Sequence, residues 1–279
     1  MTTILDVLEK GAQFLEKKGI KDARLNMELL VAHELGLKRM DLYLRFDQPL
    51  EEEQISQLRE KLKLRGQFTP VQHLIGKVGF HNLDFLCDHR ALIPRPETEE
   101  LVEIALELDF PKPARILDLG CGSGVLGLSI AHKLGTDCEQ LLLADLSTDA
   151  LSLSQENAEA QQIPAEFIES DLFKQITGTF DLIVANLPYI PETERDSLEP
   201  EVLHDPEMAL FSGEDGLDLL RRFSRECLNY LNPKGVVALE VGHQQGEAVA
   251  ELLQNSGLDD VEVREDLCGI KRFPLARKA

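Results

Sequence analysis

The chain has 279 residues, of which 43% are hydrophobic, which is enough for one large domain or two smaller ones. Its five cysteines are scattered without a C-x-x-C pair and its seven histidines have no ligand spacing, so neither a disulfide framework nor a metal site is predicted. No apolar run approaches ~20 residues and the start lacks the apolar core of a signal peptide. We therefore expect a cytoplasmic protein with no membrane partner.

The net charge of −21 is unevenly distributed along the chain. Residues 1–72 contain 12 basic and 12 acidic residues, whereas residues 73–279 contain 17 basic and 38 acidic residues and carry the whole net charge. A surface that binds nucleic acid usually shows a basic footprint, so we expect no nucleic-acid partner, and only a local basic groove would change this. A protein partner with a basic surface fits better, and we expect the chain itself to be a monomer.

Residues 1–70 have the periodicity of helices. The apolar residues of the first helical segment lie on roughly one face: Ile4, Leu5, Leu8, Phe14 and Leu15. Asp22 is the expected N-cap of the second segment, and the last segment begins with acids and ends with bases, which suits the helix dipole. We predict a bundle of about four helices over residues 1–72, or alternatively an extension packed on the core.

From residue 73 the pattern changes. Residues 73–90 alternate and contain Gly and Asn, which predicts a hairpin linker. In residues 91–279 strands then alternate with helices, and the strands are apolar runs. This combination is typical of a mostly parallel, doubly wound α/β sheet. The expected strands lie at residues 114–120, 140–146, 165–170, 180–186, 235–242, 261–266 and 271–277.

The segment D-L-G-C-G-S-G joins the first of these strands to a helix. Its glycines let the backbone turn tightly and approach a ligand: Gly120, Gly122 and Gly124. The dinucleotide-binding pattern G-x-G-x-x-G also occurs here. The carboxylate of Asp118 would repel the pyrophosphate of a dinucleotide, however, and suits instead a nucleoside ligand that carries a cationic amino acid moiety. Asp145, at the end of the next strand, can accept hydrogen bonds from both hydroxyls of the ribose of such a nucleoside. A purely structural strand–helix turn is the alternative.

Two other groups have a less specific pattern. Cys121, inside the glycine loop, is a candidate for partial reactivity because a helix N-terminus lowers the pKa of a thiol, although we expect no catalytic role. The turn Asp205-Pro206-Glu207 could supply paired carboxylates for acid–base work, but an exposed acidic turn is the favoured interpretation.

D-x-G-x-G-x-G followed by an acid at the next strand end resembles the S-adenosylmethionine (SAM) site of class I methyltransferases. The resemblance implies SAM as cofactor and a Rossmann-like, seven-stranded, mostly parallel sheet. It assigns cofactor contacts to Asp118, Gly120, Cys121, Gly122, Ser123, Gly124, Asp145, Leu146, Asp171, Leu172 and Asn186. Asp171 fits a turn or helix-cap aspartate almost as well.

The fourth strand ends in Asn186-Leu187-Pro188-Tyr189, which in an open α/β sheet lies beside the glycine loop. This tetrapeptide resembles the (N/D)-P-P-Y motif of methyltransferases that modify a planar nitrogen, either a base amine or a side-chain amide. The Asn186 side-chain oxygen and the Leu187 carbonyl can hold its two N–H groups while Tyr189 stacks on it. Leu187 replaces the usual proline, and N-L-P-Y also occurs in RNA dimethyladenosine transferases.

Over nearly its whole length the chain is similar to the release factor glutamine methyltransferase family, also called HemK or PrmC. Three further segments carry this resemblance: residues 75–88, 91–103 and 201–223. It implies methyl transfer to the N5 amide nitrogen of the glutamine in the Gly-Gly-Gln motif of class I peptide chain release factors, with the helical bundle docking the factor.

The resemblance places Arg95 and Glu97 at the site entrance, but a proline-marked helix cap with an acidic first turn explains both equally well. Two other functions stay open at this point. One is an N-methyltransferase for an adenine or guanine amine of RNA or DNA. The other is a scaffold with the SAM fold that has lost turnover, with Leu187 as the lesion.

Overall fold

A computed structural model describes residues 2–279. The chain divides into two compact units: the first contains the residues up to Lys77 together with Glu199–His204, and the second contains Val78–Leu198 together with Asp205–Ala279. Within the described residues, no helix combines the length and the apolarity needed to cross a bilayer.

The first unit is helical, as predicted for the N-terminal region. It contains α1 (Ile4–Lys17), α2 (Ala23–Glu34), a 3-10 helix (Arg39–Leu44), α3 (Glu52–Arg65) and α4 (Val71–Ile75). α1 begins with a capping box: the Thr3 hydroxyl accepts from Asp6 N–H at 3.2 Å, and the Asp6 carboxylate accepts from Thr3 N–H at 3.0 Å. Gly11 lets α1 approach α2, because a Cβ there would lie 2.5 Å from Met27 Cε.

Two local predictions in this region need correction. Asp22 precedes α2, but it has a φ of 49° and its side chain makes no capping bond; its carbonyl instead accepts from Asn26 Nδ2 at 3.0 Å. The hairpin begins at Lys77 rather than at residue 73, because Val71–Ile75 is a helix that ends at Gly76, whose φ is 76°.

The segment Glu199–His204 belongs to the helical unit, although no sequence pattern predicted this. Glu201 accepts a hydrogen bond from the buried guanidinium of Arg65, and Asn26 Oδ1 accepts another from Arg65 Nε at 2.6 Å. Glu199 pairs with Lys21. A buried guanidinium requires acceptors, and a carboxylate that is distant in sequence supplies one of them.

The second unit contains a hairpin, apart from its first residue Lys77, and a seven-stranded sheet. The hairpin strands are β1 (Lys77–Phe80) and β2 (Leu83–Leu86), and the sheet strands are β3 (Ala114–Leu119), β4 (Cys138–Asp145), β5 (Glu166–Glu169), β6 (Phe180–Ala185), β7 (Leu231–Leu239), β8 (Asp259–Glu265) and β9 (Lys271–Arg277). The order across the sheet is β5-β4-β3-β6-β7-β9-β8; β9 pairs antiparallel with both β7 and β8, whereas the other described strand pairs of the sheet are parallel. The predicted seven-stranded, mostly parallel sheet is confirmed.

Helices cover both faces of this sheet. They are α5 (Pro96–Glu107), α6 (Val125–Leu134), α7 (Thr148–Gln161), α8 (Asp218–Glu226) and α9 (Gly246–Asn255). α5 and α6 pack on one apolar cluster, and α8 and α9 pack on another. Successive residues of β6, Leu182 and Ile183, contribute to different clusters. β6 is therefore apolar on both faces, which explains why its sequence is a run and not an alternation.

The order of the strands changes direction at β3. The chain places β4 and β5 on one side of β3 and then returns to place β6 and β7 on the other. In such sheets a crevice forms at the carboxyl ends of the strands where the order reverses. The glycine loop after β3, Asp145 at the end of β4 and Asn186 after β6 all lie at this edge.

Candidate functional site

The glycine loop, residues 120–124, connects β3 to α6. Gly120, Gly122 and Gly124 have φ values of 72°, 54° and 81°, a region that residues with side chains rarely adopt. Space is also limiting at Gly120, because a Cβ there would lie 2.8 Å from Leu187 Cδ2. The loop therefore requires glycine both for its path and for its contact with the residue that follows Asn186.

Asp118, near the end of β3, is only 1% exposed. Its Oδ2 accepts a hydrogen bond from Gly127 N–H in α6 at 2.8 Å. Glycine is needed at position 127 because a Cβ at that residue would lie 2.9 Å from Asp118 Cβ. Burial raises the pKa of Asp118 to about 7 in spite of the Gly127 hydrogen bond, and the nearby charge of Asp145 adds to the rise. A cationic ligand would stabilise the charged form of this carboxylate.

Asp145, the last residue of β4, holds two backbone segments in place. Its Oδ2 accepts from Gly122 N–H at 2.9 Å and its Oδ1 accepts from Ser147 N–H at 2.8 Å. Burial raises the pKa of Asp145, and these hydrogen bonds oppose the rise. Each carboxylate oxygen can accept a second hydrogen bond, so both remain compatible with the predicted contact to ribose hydroxyls.

One cavity brings most of the predicted residues together. They line its wall at the carboxyl edge of the sheet: Asp118, Gly120, Cys121, Gly122, Ser123, Asp145, Leu146, Asp171, Leu172, Asn186, Leu187 and Pro188. Sequence reasoning missed Arg90, Leu92, Pro94, Thr98, Met208 and Leu219, which line it as well. The segment 91–103, which carries the family resemblance, contains three of these residues: Leu92, Pro94 and Thr98. The resemblance of this segment could therefore have indicated that they line the site.

The wall has the chemistry that SAM requires. It is largely apolar, it contains the buried carboxylate of Asp118 and the half-buried carboxylate of Asp145, and its glycine loop leaves room for a ligand to approach the backbone. An adenosine ring system needs the apolar surface, and a cationic amino acid moiety needs a carboxylate. The residues present therefore fit SAM.

Asn186 follows β6 and is half-buried in the cavity wall. Its Nδ2 donates to the hydroxyl of Thr98 in α5 at 3.2 Å. Among the described residues no hydrogen bond is donated to its Oδ1. The side-chain oxygen is therefore the free acceptor of this amide.

Tyr189 differs from the other three residues of the tetrapeptide. It is not among the wall residues in the described part of the chain, and its ring is half-buried against the core cluster that α8 and α9 cover. Its carbonyl accepts from Gln245 Nε2 at 2.9 Å. The stacking role of Tyr189 stays a prediction, whereas its position shows that it supports the loop.

Asp171 lines the cavity but has partners of its own. Its carboxylate accepts from Lys174 Nζ and from Arg222 at 2.7 Å each, and both hydrogen bonds lower its pKa. Leu172 next to it is buried in the wall with a φ of 51°. The two ion pairs give Asp171 a structural role in the loop, and its contact with the cofactor stays a prediction.

Asp205 is not the exposed acidic residue that the sequence suggested. It is 4% exposed, its Oδ1 accepts from Ile93 N–H at 3.2 Å, and its Oδ2 accepts from Arg95 at 2.8 Å. The prediction was wrong because the segments 91–103 and 201–223 pair with each other, and no local pattern reveals that. Glu207 is exposed, as expected, and pairs with Arg195.

We expect Asp205→Ala to lower the free energy of unfolding by about 2 kcal/mol, or roughly 5 °C in Tm, because it leaves Arg95 and a buried N–H without their acceptor. The value is discounted because Arg95 is partly exposed. Thermal unfolding measures the effect, and Glu207→Ala is the matched control on the exposed side of the same turn. Equal Tm values for the two variants would contradict a structural role for the pair.

Cys121 is not activated by the helix that follows it. Burial raises its pKa well above the usual value, and Asp118 and Asp145 raise it further, which contradicts the predicted partial reactivity. The exposed thiol of the chain is Cys268. We expect a maleimide reagent to modify Cys268 and to leave Cys121 unmodified in the folded protein, as read by peptide mass spectrometry. Modification of Cys121 at a similar rate would show that the loop opens.

Comparison with known proteins identifies two domains and close relatives. The family model "PrmC N-terminal domain" matches residues 6–76, and "Methyltransferase small domain" matches residues 103–215. A release factor glutamine methyltransferase of Deinococcus radiodurans is 37% identical over 98% of this chain and 98% of its own length. One of Geobacter sulfurreducens is 38% identical over 97% and 95%.

Solved structures confirm the fold class. The hMettl16 catalytic domain in complex with the MAT2A 3'UTR hairpin 6 superposes with a TM-score of 0.56 and 14% identity, and the match covers 82% of each chain. At this level of identity the similarity concerns the fold alone. It agrees with the seven-stranded sheet and the helical covering of a SAM-dependent methyltransferase domain.

Proposed function

This chain belongs to the release factor glutamine methyltransferase family, and from this premise we propose that it transfers a methyl group from SAM to the N5 amide nitrogen of the glutamine in the Gly-Gly-Gln motif of class I release factors. The observation that carries the proposal is the position of Asn186, Leu187 and Pro188 in the same cavity wall as the glycine loop. The cavity can thus hold a methyl donor beside an acceptor for a planar amide.

When bound, SAM supplies an electrophilic methyl group on a sulfonium centre. Asp118 offers its buried carboxylate to the cationic amino acid moiety, and Asp145 offers its remaining lone pairs to the ribose hydroxyls. The glycine loop lets the backbone lie close to the ligand. These residues bind and orient the donor.

The acceptor amide is a poor nucleophile because its lone pair is delocalised. Asn186 Oδ1 and the Leu187 carbonyl accept its two N–H groups and so fix the direction in which the nitrogen faces. The same two acceptors stabilise the positive charge that develops on nitrogen during transfer, because they are in place before the reaction, and the nitrogen then releases one of its protons to give the neutral methylated amide. Pro188 keeps Leu187 in an extended conformation, so the carbonyl is held although Leu187 replaces the usual proline.

Modification of a base amine in RNA or DNA is the weaker alternative. The same two acceptors, Asn186 Oδ1 and the Leu187 carbonyl, form a clamp that could also hold such an amine. The net charge of −21 opposes a polyanion, however, and the full-length relatives are named for a release factor. The relatives and the charge therefore favour a release factor over a nucleic acid as the acceptor.

Transfer of tritium from labelled SAM tests the proposal directly. We expect label on a purified release factor and none on the factor whose Gly-Gly-Gln glutamine is replaced by alanine. Ribosomal RNA and DNA serve as the other acceptors. Label on nucleic acid but not on the factor would support the alternative, and measurable SAM binding without any label would support the scaffold without turnover.

We also propose that residues 1–72 dock the release factor. The 3-10 helix Arg39–Leu44 displays apolar side chains to solvent: Met40, Tyr43 and Leu44, with Leu25 of α2 as a further exposed residue. Exposed apolar side chains that are close in sequence are typical of a surface that binds another protein. This region carries no net charge, in contrast to residues 73–279.

Leu44→Asp should raise KM for the release factor about tenfold and leave the Kd for SAM unchanged, because it places a charge in an apolar contact. Leu44 is 86% exposed, so the fold should tolerate the change. Leu267→Asp is the matched control, since Leu267 is 91% exposed but lies in the second unit. An unchanged KM for Leu44→Asp would remove this surface from docking.

A further inference from the structure

The hydroxyl of Thr98 lies between Asn186 and a buried carboxylate, that of Glu240. Asn186 Nδ2 donates to Thr98 Oγ1 at 3.2 Å, and Thr98 Oγ1 donates to Glu240 Oε2 at 2.7 Å. Thr98 is 4% exposed and Glu240 is 1% exposed. Neither residue is assigned a role by the sequence patterns described above.

Secondary structure fixes all three residues. Thr98 is the third residue of α5, which begins at Pro96. Glu240 directly follows β7, and its N–H donates to the carbonyl of Ala185, the residue before Asn186, at 3.0 Å. The three polar groups therefore form a connected row from the cavity wall into the core.

The direction of these hydrogen bonds follows from the charge of Glu240. An ionised carboxylate only accepts, so the single proton of Thr98 must point to it. The hydroxyl can then offer only a lone pair to Asn186, and the amide must present its NH2 group to Thr98. As a consequence Asn186 Oδ1 faces the other way and is available to a substrate N–H.

A neutral Glu240 would allow the opposite arrangement. A carboxylic acid can donate to Thr98, which then has its own proton free for Asn186 Oδ1. Rotation of the amide by half a turn satisfies that bond and directs Nδ2 towards the substrate. Two NH2 groups, of Asn186 and of the glutamine, would then face each other, which is unfavourable because both are donors.

We propose that Thr98 and Glu240 are positioning residues that hold the Asn186 amide with its oxygen towards the substrate, and that the negative charge of Glu240 sets this orientation. The inference rests on the proposed role of Asn186 as an acceptor for the glutamine amide. It explains why this amide has one orientation. It also implies that protonation of Glu240 can reverse that orientation.

The surroundings of Glu240 make such a proton accessible near neutral pH. Burial raises the pKa of Glu240 to about 7, although the hydrogen bond from Thr98, the charge of Arg272 on β9 and the Asn186 amide lower it. Glu97 on α5 adds to the rise, and the charge of Glu240 in turn adds to the rise that burial causes in the pKa of the Tyr189 phenol. Arg272 is itself paired with Asp266 at 3.0 Å and donates to the Val241 carbonyl, and within the described residues no ion pair joins it to Glu240.

The sign of the pH effect follows from these groups. Glu240 is ionised above about pH 7, and the ionised form holds the productive orientation. We therefore expect kcat, measured with saturating SAM and release factor, to fall as the pH decreases through about 7. Saturating SAM is needed because the pKa of Asp118 is also raised to about 7, and its protonation would weaken cofactor binding.

Thr98→Val removes the hydroxyl at constant shape and is the decisive variant. At about pH 8 we expect kcat to fall about tenfold, the Kd for SAM to stay the same, and the acid limb of the pH profile to disappear. Thr98→Ser should restore most of the lost turnover together with the acid limb. Thr148→Val, at an exposed threonine of α7, is the control for the chemical change.

Glu240→Gln tests the same point without altering Thr98. Its side chain cannot ionise, so we expect a reduced kcat that no longer varies around pH 7, and this variant decides the question if Thr98→Val does not fold. A wild-type profile without an acid limb, or normal kcat with an unchanged limb in these variants, would overturn the inference. If Asn186→Ala loses turnover while Thr98→Val and Glu240→Gln keep the kcat and pH profile of the wild type, this inference alone is refuted. If Asn186→Ala keeps normal turnover, the proposed function of the clamp is refuted.

Discussion

Asn186→Ala is expected to lower kcat by about 10²- to 10³-fold, equivalent to about 2.7–4 kcal/mol, the usual cost of removing one preorganised transition-state contact. The variant deletes the acceptor that orients the glutamine nitrogen and stabilises its developing charge. The Kd for SAM should change little, because Asp118, Asp145 and the glycine loop are untouched. Steady-state methylation at saturating SAM and release factor, together with calorimetric SAM titration, measures both quantities.

The control for this variant is Asn255→Ala. Asn255 is the last residue of α9 and is exposed, so the same deletion there should leave kcat and the Kd for SAM as in the wild type. Near-normal turnover of Asn186→Ala would exclude this side chain from the reaction. A parallel loss of SAM affinity would mean that Asn186 acts on the cofactor and not on the glutamine.

Asp145→Ala is expected to weaken SAM binding by at least about 100-fold. Two backbone N–H groups, of Gly122 and Ser147, lose a charged acceptor, and each such hydrogen bond contributes about 1.5–3 kcal/mol. The loop that approaches the ligand is then no longer held. At saturating SAM, kcat should recover substantially, because the clamp after β6 is intact.

Asp149→Ala is the matched control for this second variant. Asp149 lies in the first turn of α7, close in sequence to Asp145, but it is exposed. We expect its Kd for SAM to remain within about twofold of the wild type, as for most surface substitutions. Equal affinities of the two alanine variants would show that Asp145 does not organise the cofactor site.

The sequence by itself determined the sheet, the position of the glycine loop and the edge at which the site forms. These features depend on local patterns: a fully buried parallel strand such as β6 is an apolar run, and glycines mark a loop with positive φ. The rule that ligands bind where the strand order reverses then connected Asp118, Asp145 and Asn186 without any contact being known.

Only the tertiary structure decided which polar groups pair and how their protons are held. Arg95 and Asp205 are 110 residues apart, and Thr98 and Glu240 are 142 residues apart, so no local pattern links them. The pKa of Cys121 likewise depends on burial and on neighbouring carboxylates, and these outweigh the helix terminus that the sequence shows. The physical reason is that hydrogen-bond partners and desolvation arise from packing between distant segments, whereas strand and loop propensities arise from neighbouring residues.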